Sequence, residues 1–436
     1  MASIDQKLKL IVGNEFVTND SDIMSEYFFV PPEENNFRLI FPETVEALQR
    51  IIKLASDEIM PVFSTYDTYF PDSVARHKRG ILLDFKRMNK IERIDPKNLV
   101  AHIQRGVTFE QLIPELKRHD IKLSVPASAT SKSVVEQYVS RAINMRAARY
   151  PEVAVSNMKV VLPDGKIQLT GSHALSEDAS DHKADGGPNL SQWYLGGDDI
   201  FGIVARASIW TFPIWNTHEA VAFGFDAIEE ASAFIREMPR RELCTMGIAM
   251  NKKEFMQKAE IDETGLPPWI AILVIEGVEA IAAYRKKIVY ASAMEKGLRD
   301  LSELIADKYG LFETPWYVNG IPRLGFYCNF DRITEFNKIV VSGCSVEDVG
   351  IKLVSVSNGG CVWLEYQFPQ SDDVYTMVNK IGNNLVEKGA FFDRPSGKLA
   401  DSVYSKLDGV YINHLKRIKN MIDPVNIINP GIPIEL

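Results

Sequence analysis

Trp193-Tyr-Leu-Gly-Gly-Asp-Asp-Ile-Phe-Gly-Ile-Val-Ala-Arg-Ala-Ser-Ile-Trp-Thr-Phe-Pro213 is the stretch on which the reading of this chain turns. Glycines at 196, 197 and 202 permit positive φ or close approach by another group. The apolar, β-branched run after them reads as a buried strand that Pro213 closes. Two readings follow: backbone held against a flat ligand, or an ordinary hairpin or crossover turn.

Upstream of that stretch, Val153 to Leu162 reads as a strand, turned at Pro163-Asp-Gly165 into Lys166-Ile-Gln-Leu-Thr170, because Asp-Gly between β-rich runs signals a hairpin. Gly171 to Pro188 is polar and glycine-containing, hence a loop. Further back, strands are expected at 37–42, 60–63, 80–85 and 99–106, and helices at 43–56, 108–119 and 133–149. In the first of these helical segments apolar residues recur at helical spacing, at 45, 48, 51, 52 and 55. Downstream, Ala220–Phe225, Leu243–Met250, Trp269–Glu276, Arg323–Phe330 and Gly360–Pro369 read as strands, with helices at 229–236, 278–296 and 373–388. This order suits an antiparallel sheet with helices on one face. The tail from Gly389 holds Phe391-Phe-Asp-Arg-Pro-Ser-Gly397, a helix through Leu415–Lys419 and a final Asp423-Pro-Val-Asn-Ile-Ile-Asn-Pro-Gly431.

A length of 436 residues suggests two or three cores, and 46% hydrophobic with 25% charged residues describes a globular chain. The formal charge of -9 argues against a nucleic-acid partner, since no basic excess is available to neutralise phosphates. The 4 cysteines, at 244, 328, 344 and 361, have no C-x-x-C spacing, so reduced thiols are expected, with Cys361 in the core. No apolar run is long enough for a membrane span, and the amino terminus carries no leader pattern, so a cytoplasmic location is expected.

Four segments carry a resemblance. They are Phe41-Pro-Glu-Thr-Val-Glu-Ala-Leu48; Ile81-Leu-Leu-Asp-Phe-Lys-Arg-Met-Asn-Lys-Ile91 with Gln104-Arg-Gly-Val107; Val160-Val-Leu-Pro-Asp-Gly165 followed by Gly196-Gly-Asp-Asp-Ile-Phe-Gly-Ile-Val204; and Lys419 to Gly431. In this order they resemble the FAD-linked oxidase family of the vanillyl-alcohol oxidase and p-cresol methylhydroxylase type, which includes glycolate and D-lactate dehydrogenases. The resemblance implies an α+β chain: an N-terminal lead over 1–36, an FAD-binding domain over 37–213 completed by 389–436, and an α+β cap over 214–388. It also implies FAD as cofactor, with Ser64, Thr65, Tyr66, Thr68, Pro126, Ala127, Ser128, Gly196, Gly197, Phe201, Gly202, Ile203, Val204 and Asn429 at the cofactor.

Two departures bear on that expectation. Where the family has a glycine-rich turn for the pyrophosphate, this chain has Ser64-Thr-Tyr-Asp-Thr-Tyr69, and Asp67 repels phosphate. Where the family has paired glycines in a second loop, Val135 is followed by Glu136 and Gln137. Arg141, Arg146 and Arg149 either compensate as guanidinium forks or form the solvated face of a helix.

A flavin dehydrogenase needs a cationic anchor and a proton acceptor facing the ring. Arg394 lies in a segment similar to the family's "F-x-R-P-Y-G" and suits a substrate carboxylate or the reduced ring; a structural contact with Asp393 is the alternative. Glu365 and Tyr366 are adjacent on a cap strand and face opposite ways, and Tyr366 is taken as the one that looks into the site. Arg323 is a third candidate, for an anion at the site or at its rim. His77 is either a covalent flavin attachment or an exposed loop residue. The 7 histidines show no metal-ligand spacing, so no metal is expected. The sequence thus points to an FAD-dependent oxidoreductase of a small hydroxylated or aromatic molecule, passing electrons to a partner protein within an oligomer. The competing expectation is a flavin-free paralogue serving as a structural or regulatory subunit of a flavoprotein complex.

Overall fold

The computed structural model describes residues 3–28, 36–64, 74, 77–146, 155–182, 186–262, 265–344, 348–393, 395 and 397–431. Among the described residues three larger sheets organise the fold, beside a two-stranded pairing of Phe212–Pro213 with Ile121–Lys122. In the first, Phe37–Ile40 and Val62–Phe63 pair in parallel with Gly80–Leu83, and Val17–Thr18 adds an antiparallel edge. The helix Val45–Asp57 crosses over it, started by the Thr44 hydroxyl accepting from the Ala47 N–H (3.1 Å). Its apolar stripe at 45, 48, 51, 52 and 55 is buried, as the helical spacing requires.

The second sheet is antiparallel, ordered Ile91–Asp95, Val100–Gln104, Ile203–Trp210, Val155–Val161, Ile167–Leu169. The strand that ends the Trp193–Pro213 stretch is its centre, paired with Val100–Gln104 on one side and Val155–Val161 on the other. The third sheet has seven antiparallel strands, ordered Arg299–Asp300, Thr217–Phe225, Trp269–Gly277, Met246–Asn251, Gly350–Val356, Cys361–Gln367, Arg323–Cys328. Helices Ile228–Arg240, Glu279–Glu295, Ile333–Val341 and Val374–Glu387 bury their apolar sides against one face of it. Its other face supplies Ala222, Ile248, Met250, Ile272, Val274, Val354 and Trp363 to a core shared with the second sheet. The tail returns to the first sheet, where Ile428 bridges Val62 and the Asn429 N–H donates to the Val62 carbonyl (2.8 Å). Among the described residues no helix is long and apolar enough to cross a membrane.

The expected helix at 133–149 is the clearest departure from the sequence reading. It covers only Val134–Val139, because Arg141 takes a left-handed φ of 58° that stops helical propagation. Beyond it the chain runs extended: Ala127 N–H donates to Ile143 O (2.7 Å) and Met145 N–H to Val125 O (2.9 Å). The strand Gly350–Val356 and the helix Lys252–Ala259 were not anticipated.

Candidate cofactor and substrate site

Two buried polar clusters lie where the family resemblance places cofactor and substrate. The first surrounds Arg105, a fully buried side chain on the turn that follows Val100–Gln104. Its Nη1 donates to Asp199 Oδ2 (2.6 Å) and its Nε lies 3.3 Å from Glu136 Oε1, with the guanidinium stacked 4.1 Å over the Phe85 ring. Asp199 also accepts from Ser64 Oγ (2.6 Å), and Glu136 from Ser131 Oγ (2.5 Å in the same geometry). The turn before the central strand is tight: Gly196, Asp198 and Asp199 all have positive φ, and the Val204 N–H closes it on Asp199 Oδ1 (3.2 Å). A Cβ on Gly196 would lie 2.4 Å from Arg141 Nε, so glycine lets that guanidinium lie flat on the turn. Lys419 fastens the tail here, its buried ammonium donating to Ile200 O, Ile428 O and Asp423.

This cluster decides whether the residues fit the FAD that the resemblance implies. A diphosphate held by these loops needs unoccupied backbone N–H groups in an electropositive nest. Three of those groups in the described residues are taken. Ser64 N–H donates to Asn429 Oδ1 (2.9 Å), Thr130 N–H to Gln137 Oε1 (3.4 Å) and Glu136 N–H to Ser133 Oγ (3.1 Å). Two carboxylates share one guanidinium, and burial pushes the Glu136 carboxyl up to about 7 despite Arg105 beside it. These three N–H groups are therefore not offered to a diphosphate. Thr65, Tyr66, Asp67 and Thr68 lie outside the described residues. Of the proposed compensating arginines, Arg141 covers Gly196, whereas Arg146 pairs with Glu276 (3.0 Å) over the Phe212 ring; Arg149 is outside the described residues.

The second cluster joins the loop Pro126–Thr130 to the cap sheet. Trp316 N–H donates to Pro126 O and Ala129 N–H to Trp316 O, so the loop is sewn edge-on to residues 316–318. Lys352 donates to Ala127 O (2.5 Å) and pairs with Glu365 (2.8 Å); Ser128 Oγ also donates to Glu365, and Arg323 Nη1 donates to Ser128 Oγ (2.9 Å). Burial alone would raise the Glu365 carboxyl, but the Lys352 and Arg323 charges overrule it and hold it down at about 2. Behind them Gln367 links Glu365 (3.1 Å) to the buried Glu254 (3.2 Å).

Strand parity corrects one site expectation. Val362, Leu364 and Tyr366 face the helix layer, and Trp363, Glu365 and Gln367 face the first domain. Tyr366 is fully buried, its hydroxyl on Asn337 (3.1 Å) and its ring stacked on Phe326, so Glu365 and not Tyr366 looks toward the loop. Alternation along the strand sets the pair on opposite faces but does not say which face carries the helices. Arg323 opens the last cap strand with its side chain 29% exposed, a rim position with access to solvent. Arg394 lies outside the described residues; Asp393 is described, and its Oδ1 is buried without a hydrogen-bond partner. His77 packs on the Phe63 ring. Phe201 is buried against Trp193, while Ile203 and Val204 are strand residues whose side chains fill two apolar cores. Gly202, at φ 149°, allows the strand to pass Val160, which a Cβ would meet at 2.8 Å. Gly197 lies close to the Trp193 carbonyl, with a virtual Cβ 2.8 Å away. Arg105, Asp199, Lys352 and Lys419 were missed; a lone charge inside an apolar run, as in Ile351-Lys-Leu-Val354, was the available signal.

A family model described as an FAD binding domain matches residues 38–171. The chain is 26% identical over 235 residues to a D-lactate dehydrogenase of Archaeoglobus fulgidus, covering 53% of this chain and 50% of the relative. It is 27% identical over 220 residues to the flavoprotein subunit of 4-cresol dehydrogenase (hydroxylating) of Pseudomonas putida, covering 48% and 42%. The chain thus spans about half the length of these two curated relatives. Its fold superposes on a crystal structure of p-cresol methylhydroxylase with substrate bound at a TM-score of 0.86, with 17% identity over 99% of this chain and 96% of the other. The chain thus carries an FAD binding domain match over 38–171 and has the two-part p-cresol methylhydroxylase fold.

Proposed function

We propose that this chain is an FAD-dependent oxidoreductase acting on a small hydroxylated or aromatic organic molecule and passing the electrons to a partner protein. The observation that carries this reading is the FAD binding domain match at 38–171 inside a chain-long p-cresol methylhydroxylase fold. FAD would supply hydride acceptance. The chain's own contribution is cationic: Arg323 and Lys352 both face one carboxylate, Glu365, from the cap side. Arg323, part exposed, would receive a carboxylate or phenolate oxygen through its guanidinium fork. Glu365 is too acidic for a general base near neutrality, so it serves to position the two cations. Arg394 is kept in this proposal as a second anion-binding residue, and a cytoplasmic oligomer with boundaries near 37, 214 and 389 completes it. Purified protein tests it. Yellow protein whose flavin is bleached by a hydroxy acid or an alkylphenol, and reoxidised by an artificial acceptor, is the expected result; colourless protein that takes up no added FAD overturns it.

One observation favours a second reading, in which the chain is a flavin-free subunit that supports an intact flavoprotein. It is the Arg105–Glu136–Asp199 cluster, which replaces a phosphate nest by protein charges already paired with one another. The Glu136→Gly, Gln137→Gly double variant separates the readings. Gain of FAD uptake only in the double variant supports the subunit role, and equal uptake by both proteins rejects it.

A further inference from the structure

The second sheet has a polar face as well as an apolar one. Ala101, Ile103, Met158, Ala207 and Ile209 point into the shared core, so their neighbours His102, Asn157 and Ser208 point the other way, side by side in register. The segment 171–182 lies over that polar face. Gly171, at φ 62°, begins it where a Cβ would stand 2.2 Å from Asn157 Oδ1, so no other residue fits without movement. Asn157 Oδ1 then accepts from the His173 N–H (3.3 Å) and from Ser172 Oγ (3.2 Å), and Ser172 Oγ accepts from the His182 N–H (3.0 Å). These bonds lay His173 parallel to His102, with rings 5.7 Å apart and 6° between their planes.

Asp181 closes the group. One carboxylate oxygen is 3.3 Å from His102 Nε2 and the other 3.3 Å from His173 Nε2. All three donors lie within 4.8 Å of one another, and both histidines are more than nine-tenths buried, at 6% and 4% exposure. His173 Nε2 is buried with no hydrogen-bond partner, although the carboxylate is near, which leaves a lone pair or an N–H unused in the interior. A tetrahedral ion with bonds of ~2.0–2.1 Å to nitrogen and oxygen spaces its ligand atoms about 3.3–3.4 Å apart, the separation of each imidazole nitrogen from its nearer carboxylate oxygen, Oδ2 for His102 and Oδ1 for His173. The outer partners are those that orient metal ligands: Ser208 Oγ sits 3.0 Å from His102 Nδ1, and Asn157 Nδ2 donates to Asp181 Oδ1 (2.9 Å). At the mouth, the half-exposed Arg93 places Nη2 2.8 Å from His102 Nε2 and 3.4 Å from Asp181 Oδ2, a guanidinium doing a cation's work. Arg206 and Glu177 flank the group.

We propose that His102, His173 and Asp181 form a binding site for a divalent transition ion, best suited to Zn2+, that fastens the segment 171–182 to the outer face of the second sheet. Two imidazoles and a carboxylate are a zinc-type ligand set with a fourth position open to water. The site stands on the face turned away from the core shared with the cap, so its role is structural and separate from redox chemistry. His102 is distant in sequence from the other two, which is why no histidine spacing announces them.

The test is zinc binding to the full chain after chelator treatment, using Zn2+ alone and metal analysis after equilibrium dialysis. One equivalent is expected for the native sequence, and none for His173→Ala or Asp181→Asn. Arg93→Ala, a change at an exposed side chain, removes the competing cation and is expected to bind zinc at least tenfold more tightly. That gain would not arise if the histidines and Asp181 were only a packed polar group, and it does not depend on the histidine variants folding. Absence of zinc uptake by the native chain, full uptake by His173→Ala, or unchanged or weaker binding by Arg93→Ala would each overturn the assignment. Protection of residues 171–190 from proteolysis by zinc, lost in Asp181→Asn, is the expected structural readout.

Discussion

The two buried clusters beside the Pro126–Thr130 loop differ in one simple respect. Around Arg105 a single cation serves two carboxylates, Glu136 and Asp199; around Glu365 two cations, Lys352 and Arg323, serve a single carboxylate. The carboxyl groups report the difference, Glu136 rising to about 7 and Glu365 falling to about 2. Adding the adjoining Glu254 and Lys258 to the cap side leaves its balance unchanged, since each brings one charge of opposite sign. One side of the loop is therefore short of positive charge and the other has it to spare. An anionic substrate of the kind proposed has a reason to approach the cap side.

The largest expected effect comes from removing the cation that is outnumbered. Arg105→Met strands Glu136 and Asp199 in the interior, and such loss of one partner in a buried charge group costs about 3–5 kcal/mol. Urea denaturation should show a loss of that size, or insoluble protein. Lys352→Met removes one cation of two. Arg323 still stands 3.8 Å from Glu365 and Ser128 still donates to it, so a smaller loss, about 2–3 kcal/mol, is expected in the same measurement. If Lys352→Met proves the more damaging, the charge count is the wrong description of the two sites.

Much of the fold was legible because it rests on local periodicity. The stripe at 45, 48, 51, 52 and 55 and the Asp164-Gly165 hairpin became a helix and a hairpin as read. The site was less legible, since its parts meet only in three dimensions. Arg105, Glu136 and Asp199 are separated by 31 and 94 residues from Arg105, and no window of sequence brings them together. Alternation along Cys361–Gln367 separates Glu365 from Tyr366, but choosing between them needs the position of helices 228–240 and 374–387, which lie far off in the chain. The helix at 133–149 was overextended for a different reason. Its apolar pattern continues past Arg141, but the left-handed residue there turns the chain into an extended pair with 125–127.

A third prediction uses pH. Glu136 is raised in the folded state from 4.5 to about 7, so folding takes up a proton between those values. The contribution is fully present below about 4.5 and is lost as pH rises through about 7; stability from this group falls toward alkaline pH. Glu365, lowered to about 2, works the other way: its contribution is present above 4.5 and is lost as pH falls toward 2. Glu136→Gln abolishes the first slope. Its unfolding free energy relative to the native chain, from urea denaturation, should rise from pH 5 to pH 7.5, reaching an advantage of about 1–3 kcal/mol. A flat difference across that range would mean that Glu136 is ionised throughout and that Arg105 suffices for both carboxylates.

The smallest effects are the most discriminating, because the same substitution is available on each side of the loop. Ser128 donates to Glu365 and Ser131 donates to Glu136. Ser128→Ala removes a bond to a carboxylate that stays ionised at any pH above about 2, so its cost, about 1–2 kcal/mol, should not change between pH 5 and pH 8. Ser131→Ala removes a bond to a group that carries its own proton below about 7 and then needs no donor. Its cost should be near zero at pH 5 and approach that of Ser128→Ala only at pH 8. Denaturation curves for the two variants at both pH values measure this directly. Parallel behaviour would erase the electrostatic contrast between the two clusters, whereas divergence with pH would locate it in the count of cations around each carboxylate.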